Sequence, residues 1–221
     1  MSDLSTTGSP DERIDKLEEE NQALKEEVAR LRAENRRWAR MAGTDNLTGL
    51  PNKISFVRAL LPQALERAVK EQQSIGLVLL SADDLGTVNE KLGRESGDEV
   101  LKGLGQLLRS VLPEGDRLAH LDGANFAVVL YPGHIEAAKG RANMLRARIR
   151  AHPIPYGDET IQVTVSAGVV AAEIPVGEDI RAVSETLLGL LNRALYTAKK
   201  GGGNRVETAP NNPYESRETP S

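Results

Sequence analysis

The sequence predicts an α/β fold: one mixed sheet packed with helices, preceded by a parallel coiled-coil helix. Three observations carry this. Apolar strand-like runs alternate with amphipathic helical stretches after residue 43. A single Asp-Gly pair between two apolar runs marks a tight β-hairpin in the middle of that region. Residues 11–42 carry a narrow apolar stripe with a seven-residue repeat.

The coil comes first in the chain. With Ile14 at heptad position a, Asn21, Val28, Asn35 and Ala42 also fall on a, and Leu17, Leu24, Leu31 and Trp38 fall on d. Leucine at d with a β-branched residue or asparagine at a favours a parallel pair of helices, and the asparagines fix its register. Charges across such a pair are opposite: Arg13 would meet Glu18, Glu20 would meet Lys25, and Glu27 would meet Arg32. The predicted dimer interface is therefore Ile14, Leu17, Asn21, Leu24, Val28, Leu31, Asn35 and Trp38. Residues 1–10 and 209–221 are small and polar and are predicted to be disordered.

Residues 43–208 form the predicted compact domain. A helix is expected over 52–72 with a bend at Pro62, then a buried strand in "SIGLVLLS", then helices over 84–92 and 97–111. The hairpin "DRLAHLDGANFAVVLYP" follows, its turn expected on Asp122-Gly123. "IEAAKGRANMLRARIRAH" is an amphipathic helix, and "TIQVTVSAGVVA" reads as one strand that alternates and then becomes wholly apolar. "SETLLGLLNRALYTAKK" is a helix closed by Gly201–Gly203, and "NRVETA" an added edge strand.

Composition sets the outer limits. Of 221 residues, 39% are hydrophobic but only 3% aromatic, so the core is aliphatic. A net charge of -4 argues against nucleic acid as a partner, since phosphate binding needs a basic face. The absence of cysteine excludes disulfides and thiolate metal sites. No signal-peptide pattern and no apolar run near the ~20 residues of a membrane span point to a cytoplasmic protein.

Four segments, in order, resemble the landmarks of the GGDEF domain of bacterial diguanylate cyclases: "DNLTGLPNK" (45–53), "NEKLGRESGDEVL" (89–101), "VTVSAGVV" (163–170) and "ALYTAKKGGGNRV" (194–206). The resemblance implies a nucleotidyl-cyclase-like mixed sheet, two facing protomers, and a reaction joining two GTP molecules into cyclic di-GMP with magnesium. The family's signature Gly-Gly-Asp/Glu-Glu-Phe stands here as Asp122, Gly123, Ala124, Asn125, Phe126. Ala124 replaces the acid that the family uses on magnesium, and Ser81 stands where its second metal acid belongs. Magnesium prefers hard carboxylate oxygens, so neither side chain is a fit ligand. Gly86 replaces a phosphate-binding lysine, and Asp122 brings a negative charge to where a triphosphate would approach. Asp83 and Asp84 lie near enough to serve a cation but are read as caps of the following helix.

Some matches remain. Asn89 and Asp98 correspond to the family's guanine-reading pair, and Lys199 to a phosphate-contacting lysine. Asp98 is also placed to cap a helix starting at Gly97, and Lys199 to complement a helix C-terminus. The family's inhibitory R-x-x-D is "PEGD" here, with Pro113 for arginine and Asp116 retained, so bidentate recognition of product is lost. The expected function is a catalytically inactive GGDEF-domain signalling protein, a homodimeric scaffold or adaptor for a protein partner, with no metal and no cofactor. The alternatives are a nucleotide sensor for GTP or cyclic di-GMP, holding vestigial Asn89, Asp98 and Lys199, and an active cyclase.

Overall fold

A computed structural model describes residues 17, 20–22, 24–28, 30 and 43–214. The chain divides at Ala42–Gly43 into two units. In the first, the described residues are helical, and Leu17, Leu24 and Val28 are 61%, 65% and 42% exposed on the single chain. Ile14, Leu31, Asn35 and Trp38 lie outside the described residues. Asn21 is helical and exposed, and ion pairing in this stretch runs along one helix, Arg30 to Glu27 at 2.9 Å.

The second unit opens with a loop folded back on itself: the Asn52 amide donates to the Gly43 carbonyl, and Thr44 bridges Pro51. Asn52 then caps α1 (Lys53–Ser55), its side chain accepting from the Ser55 amide. A five-residue π-helical segment, Phe56–Leu60, leads straight into α2 (Leu61–Glu71). The predicted bend at Pro62 is thus a widened turn just before the proline, with the Leu61 amide reaching the Phe56 carbonyl.

β1 (Ile75–Ala82) is buried at all eight positions, as its unbroken apolar run requires of a central strand. α3 (Leu85–Leu92) and α4 (Arg94–Val111) meet at Gly93, whose φ of 88° makes the corner. α4 starts three residues before the predicted Gly97, so Asp98 sits inside the helix and cannot be its cap. β2 (Arg117–Asp122) and β3 (Asn125–Leu130) form the hairpin, and α5 (Ile135–Arg150) follows. The predicted strand over 160–171 is two strands. β5 (Glu159–Ile161) pairs with β4 (Ile154–Tyr156) in a separate ribbon, and β6 (Val165–Ala172) joins the main sheet. α6 (Ile180–Lys200), capped by Asp179, and β7 (Val206–Thr208) complete the domain.

The sheet order is β2-β3-β1-β6-β7. Only the β6–β7 pair is parallel. Alternating side chains build two cores. Val78, Leu80, Phe126, Val128 and Val169 face α4 and α5; Leu77, Leu79, Ala127, Val129 and Val170 face α2 and α6. At Gly168 the sheet touches α6 so closely that a Cβ would meet the Leu191 carbonyl and the Leu195 amide.

The C-terminal stretch predicted to be disordered is ordered as far as Tyr214. Ala209 is buried and its amide donates to the Val169 carbonyl; the Glu173 amide donates to the Tyr214 carbonyl; Asn212 donates to the Ala171 carbonyl at 2.6 Å. Bonds to β6 and to Glu173 just beyond it, one of them from the Asn212 side chain, hold this segment despite its polar composition.

Candidate functional site

The signature hairpin is built from its root upward. Phe126 is 1% exposed, and the buried His120 ring stacks on it with centroids 4.6 Å apart. Between His120 and Asp122 the β2–β3 register shifts, and Asp122 pairs with Asn125. That irregularity moves the turn one residue beyond the predicted Asp122-Gly123: the two loop residues are Gly123, at φ 49°, and Ala124. The Asp122 carboxylate does not project freely. It lies 2.7 Å from Lys53 Nζ and accepts from Asn125 Nδ2 at 2.9 Å, and these two contacts hold it below the usual carboxylate range.

Below the tip, Ser81 stands beside Asn125 on one side and Ser166 on the other. It is 1% exposed, and its hydroxyl has no hydrogen-bond partner. Two residues on, Asp83 gathers three elements. One carboxylate oxygen accepts from Ser166 Oγ at 2.7 Å; the other accepts from Thr164 Oγ1 at 2.7 Å and the Asn204 amide at 2.9 Å. Arg146 of α5 holds the same Asn204 through its carbonyl and side-chain oxygens. Asp83, directly after β1, is therefore a cross-link to the start of β6 and to the glycine loop after α6, and the expected capping role is corrected. Asp84 occupies the N-cap position of α3 in a left-handed conformation and makes no side-chain cap bond.

The three surviving nucleotide positions are split between two layers. Asn89 turns inward from α3, its Oδ1 buried without a partner against Gly97, where a Cβ would overlap it. Asp98 is exposed on α4 beside a concavity of about 500 Å³ lined by Glu95, Asp98, Glu99, Lys102, Tyr156 and the ribbon turn. Lys199 is exposed on the last turn of α6, which packs on the opposite face of the sheet from α4. Gly86 is open to solvent. Pro113 is exposed, whereas the Asp116 side chain is 8% exposed and lies 3.1 Å from Arg141 Nε of α5. Burial pushes the Asp116 carboxyl up, against the pull of Arg141 and Arg117.

Sequence reasoning missed the polar support under the hairpin: Asp45, Lys53 and His120. The first two lie in "DNLTGLPNK" and the third in the hairpin itself, and nothing in a linear pattern joins them. The bonds to Asp83 had a trace in the sequence, because Thr164 and Ser166 interrupt an otherwise apolar strand.

Among the described residues, no group of three or more histidine, aspartate or glutamate side chains is placed to hold a metal ion. No helix of the described residues is long and apolar enough to cross a membrane.

A family model described as "Diguanylate cyclase, GGDEF domain" matches residues 42–205. The chain belongs to the GGDEF family. Diguanylate cyclase DgcP of Pseudomonas aeruginosa is 33% identical over 202 residues, which is 90% of this chain and 27% of that protein. Diguanylate cyclase TpbB of the same species is 33% identical over 193 residues, 85% of this chain and 43% of that protein. The chain thus spans less than half of the length of these curated relatives. Among solved structures, the coiled coil and GGDEF domain of DgcB from Caulobacter crescentus, in complex with c-di-GMP, superposes with a TM-score of 0.70 at 26% identity, covering 87% of this chain and 99% of that one. Diguanylate cyclase SiaD of Pseudomonas aeruginosa, in complex with its activator SiaC, gives 0.69 at 26% identity, covering 89% and 73%.

Proposed function

We propose that this chain is a catalytically inactive GGDEF-domain signalling protein, a homodimeric scaffold or adaptor that works through protein–protein contact. One observation carries the reading. Where the family resemblance calls for two carboxylates on magnesium, this chain has a hydroxyl buried to 1% exposure and a methyl group, Ser81 and Ala124. The carboxylates nearest in the chain are already used, Asp83 by three neutral donors and Asp122 by Lys53 and Asn125. A divalent ion here would have to strip these bonds without gaining the hard, multiply charged ligand set it needs. The residues present do not fit magnesium.

The concavity beside Asp98 is lined by Glu95, Asp98 and Glu99, and its one lysine, Lys102, is paired with Glu99 at 2.7 Å, so it is a poor place for nucleotide phosphates. The heptad stripe supports the dimer, and SiaD with SiaC supplies a relative that engages a protein partner. Incubating the purified chain with GTP and magnesium or manganese, followed by chromatography, is expected to yield no cyclic dinucleotide; its detection overturns the reading. Light scattering is expected to give a dimer mass, and Leu24→Glu a monomer.

A further inference from the structure

The start of β1 and the end of β6, Ile75 and Ala172, pair at the end of the sheet opposite Ser81 and Asn125. A groove of about 550 Å³ opens there between three segments. One wall is the last turn of α2, with Val69, and the two residues after it, Gln72 and Gln73. The second is the chain leaving β6, from Glu173 to Val176. The third ends in Tyr214. The volume is that of a ligand-binding cleft. Its floor is apolar and buried at Ile174. Its upper edge is apolar and uncovered: Val176 is 79% exposed, the highest value among the large apolar side chains described. A turn holds Val176 out. The Glu178 amide donates to the Pro175 carbonyl at 3.4 Å, with Gly177 at φ 96°. Val69, Ile174 and Val176 thus make an apolar strip with a polar rim, the pattern of a contact surface.

The lining carries one formal charge, Glu173. Among the described residues its side chain has no hydrogen-bond or ion-pair partner. Lys70, on the last turn of α2, is not part of the lining. α2 also ends at this wall, and the negative end of its dipole adds to the field of Glu173. A phosphate or carboxylate ligand would be repelled. A second copy docked about a two-fold axis would set Glu173 against its own counterpart. An apolar side chain beside a cation is attracted on both counts, and the exposed Gln72 and Gln73 can bond the peptide groups around it.

We propose that this groove docks a protein partner through a short segment carrying a bulky apolar residue next to lysine or arginine. The apolar side chain lies against Val69, Ile174 and Val176, and the cation meets Glu173. The inference deepens the adaptor reading and rests on it, naming the chemistry of the segment that the adaptor holds.

The test selects random dodecapeptides displayed on phage against the immobilised full chain. The enriched sequences are expected to share a leucine, isoleucine, methionine or phenylalanine beside lysine or arginine. A synthetic peptide of the enriched sequence is then titrated with the full chain and followed by fluorescence anisotropy. Val176→Ser is expected to weaken binding about fivefold. Glu173→Gln is expected to weaken it about threefold and to flatten its salt dependence. Both side chains are exposed, so neither change disturbs the core. Ile54→Ala, at an exposed apolar residue of α1, is expected to leave binding unchanged. No enrichment, acidic enriched sequences, or binding indifferent to Val176→Ser overturns the proposal. So does self-association of the chain that Val176→Ser abolishes, because the groove then belongs to a second copy. An empty selection overturns the groove alone, whereas cyclic dinucleotide in the GTP assay overturns the inactive reading even when the selection succeeds.

Discussion

Asp83 and Asp122 flank the same end of the sheet, and they are held in opposite ways. Asp83 is half-buried and receives three neutral donors, from Thr164 just before β6, Ser166 within it, and the glycine loop. Asp122 is exposed on the hairpin and is held by one lysine and one asparagine amide. The first arrangement fixes the positions of three chain segments; the second screens a charge at a turn. A carboxylate at this end of the sheet thus has two separable uses, and the bonding pattern tells them apart.

Four measurements can break or sharpen this contrast. The largest effect is expected at Asp83. Asp83→Ala leaves two hydroxyls and one amide without their acceptor and should cost about 3 kcal/mol, read from urea unfolding. Asp83→Asn, which keeps one accepting oxygen, should cost less. Next comes the close approach on the other side of β6: Gly168→Ala forces a methyl against the α6 backbone and should cost about 2 kcal/mol. It tests whether the glycine loop's attachment to Asp83 depends on how tightly α6 lies on the sheet. Third, Asp45 has a lowered carboxyl value, so its contribution to stability is complete above the ordinary carboxylate range and disappears as pH falls through the lowered value. The difference in thermal midpoint between the unsubstituted chain and Asp45→Asn should therefore be full above the ordinary carboxylate range and close on acidification. The smallest effect is expected at the tip. Lys53 and Asp122 side chains are 61% and 55% exposed, so Asp122→Ala should change stability by less than about 1 kcal/mol. A loss at Asp122 equal to that at Asp83 would erase the distinction.

Element types were legible because the driving patterns are local. The all-apolar β1, the i, i+4 spacing of Val100, Leu104 and Leu108, and the glycine run after α6 each declare themselves within a few residues. The family landmarks declared the fold. Three features were not legible, each for a stated reason. The hairpin turn moved by one residue because a register shift at His120–Asp122 overrode the Asp-Gly preference. The break at 162–164 left the apolar Val163 buried outside any strand, and periodicity cannot separate that from a continuous strand. The distant partners of Asp83, His120 and Asp45 lie between 75 and 121 residues away along the chain, from His120–Asp45 to Asp83–Asn204, and no linear spacing encodes them. At the candidate site, residue identities at Ser81, Ala124 and Gly86 were readable from the sequence, whereas the contacts of the surrounding carboxylates required three dimensions.

The lacing of residues 209–214 along β6 has a practical consequence. A chain shortened to Thr208, where simple inspection would trim it, strips the acceptor from the Glu173 amide and the donor from the Ala171 carbonyl, and bares part of the core around Ala209. Such a fragment should express poorly and self-associate through the newly uncovered rim of the sheet, while one ending after Tyr214 should behave as a well-mannered domain. Reporter fusions and crystallisation fragments for this chain belong beyond that tyrosine.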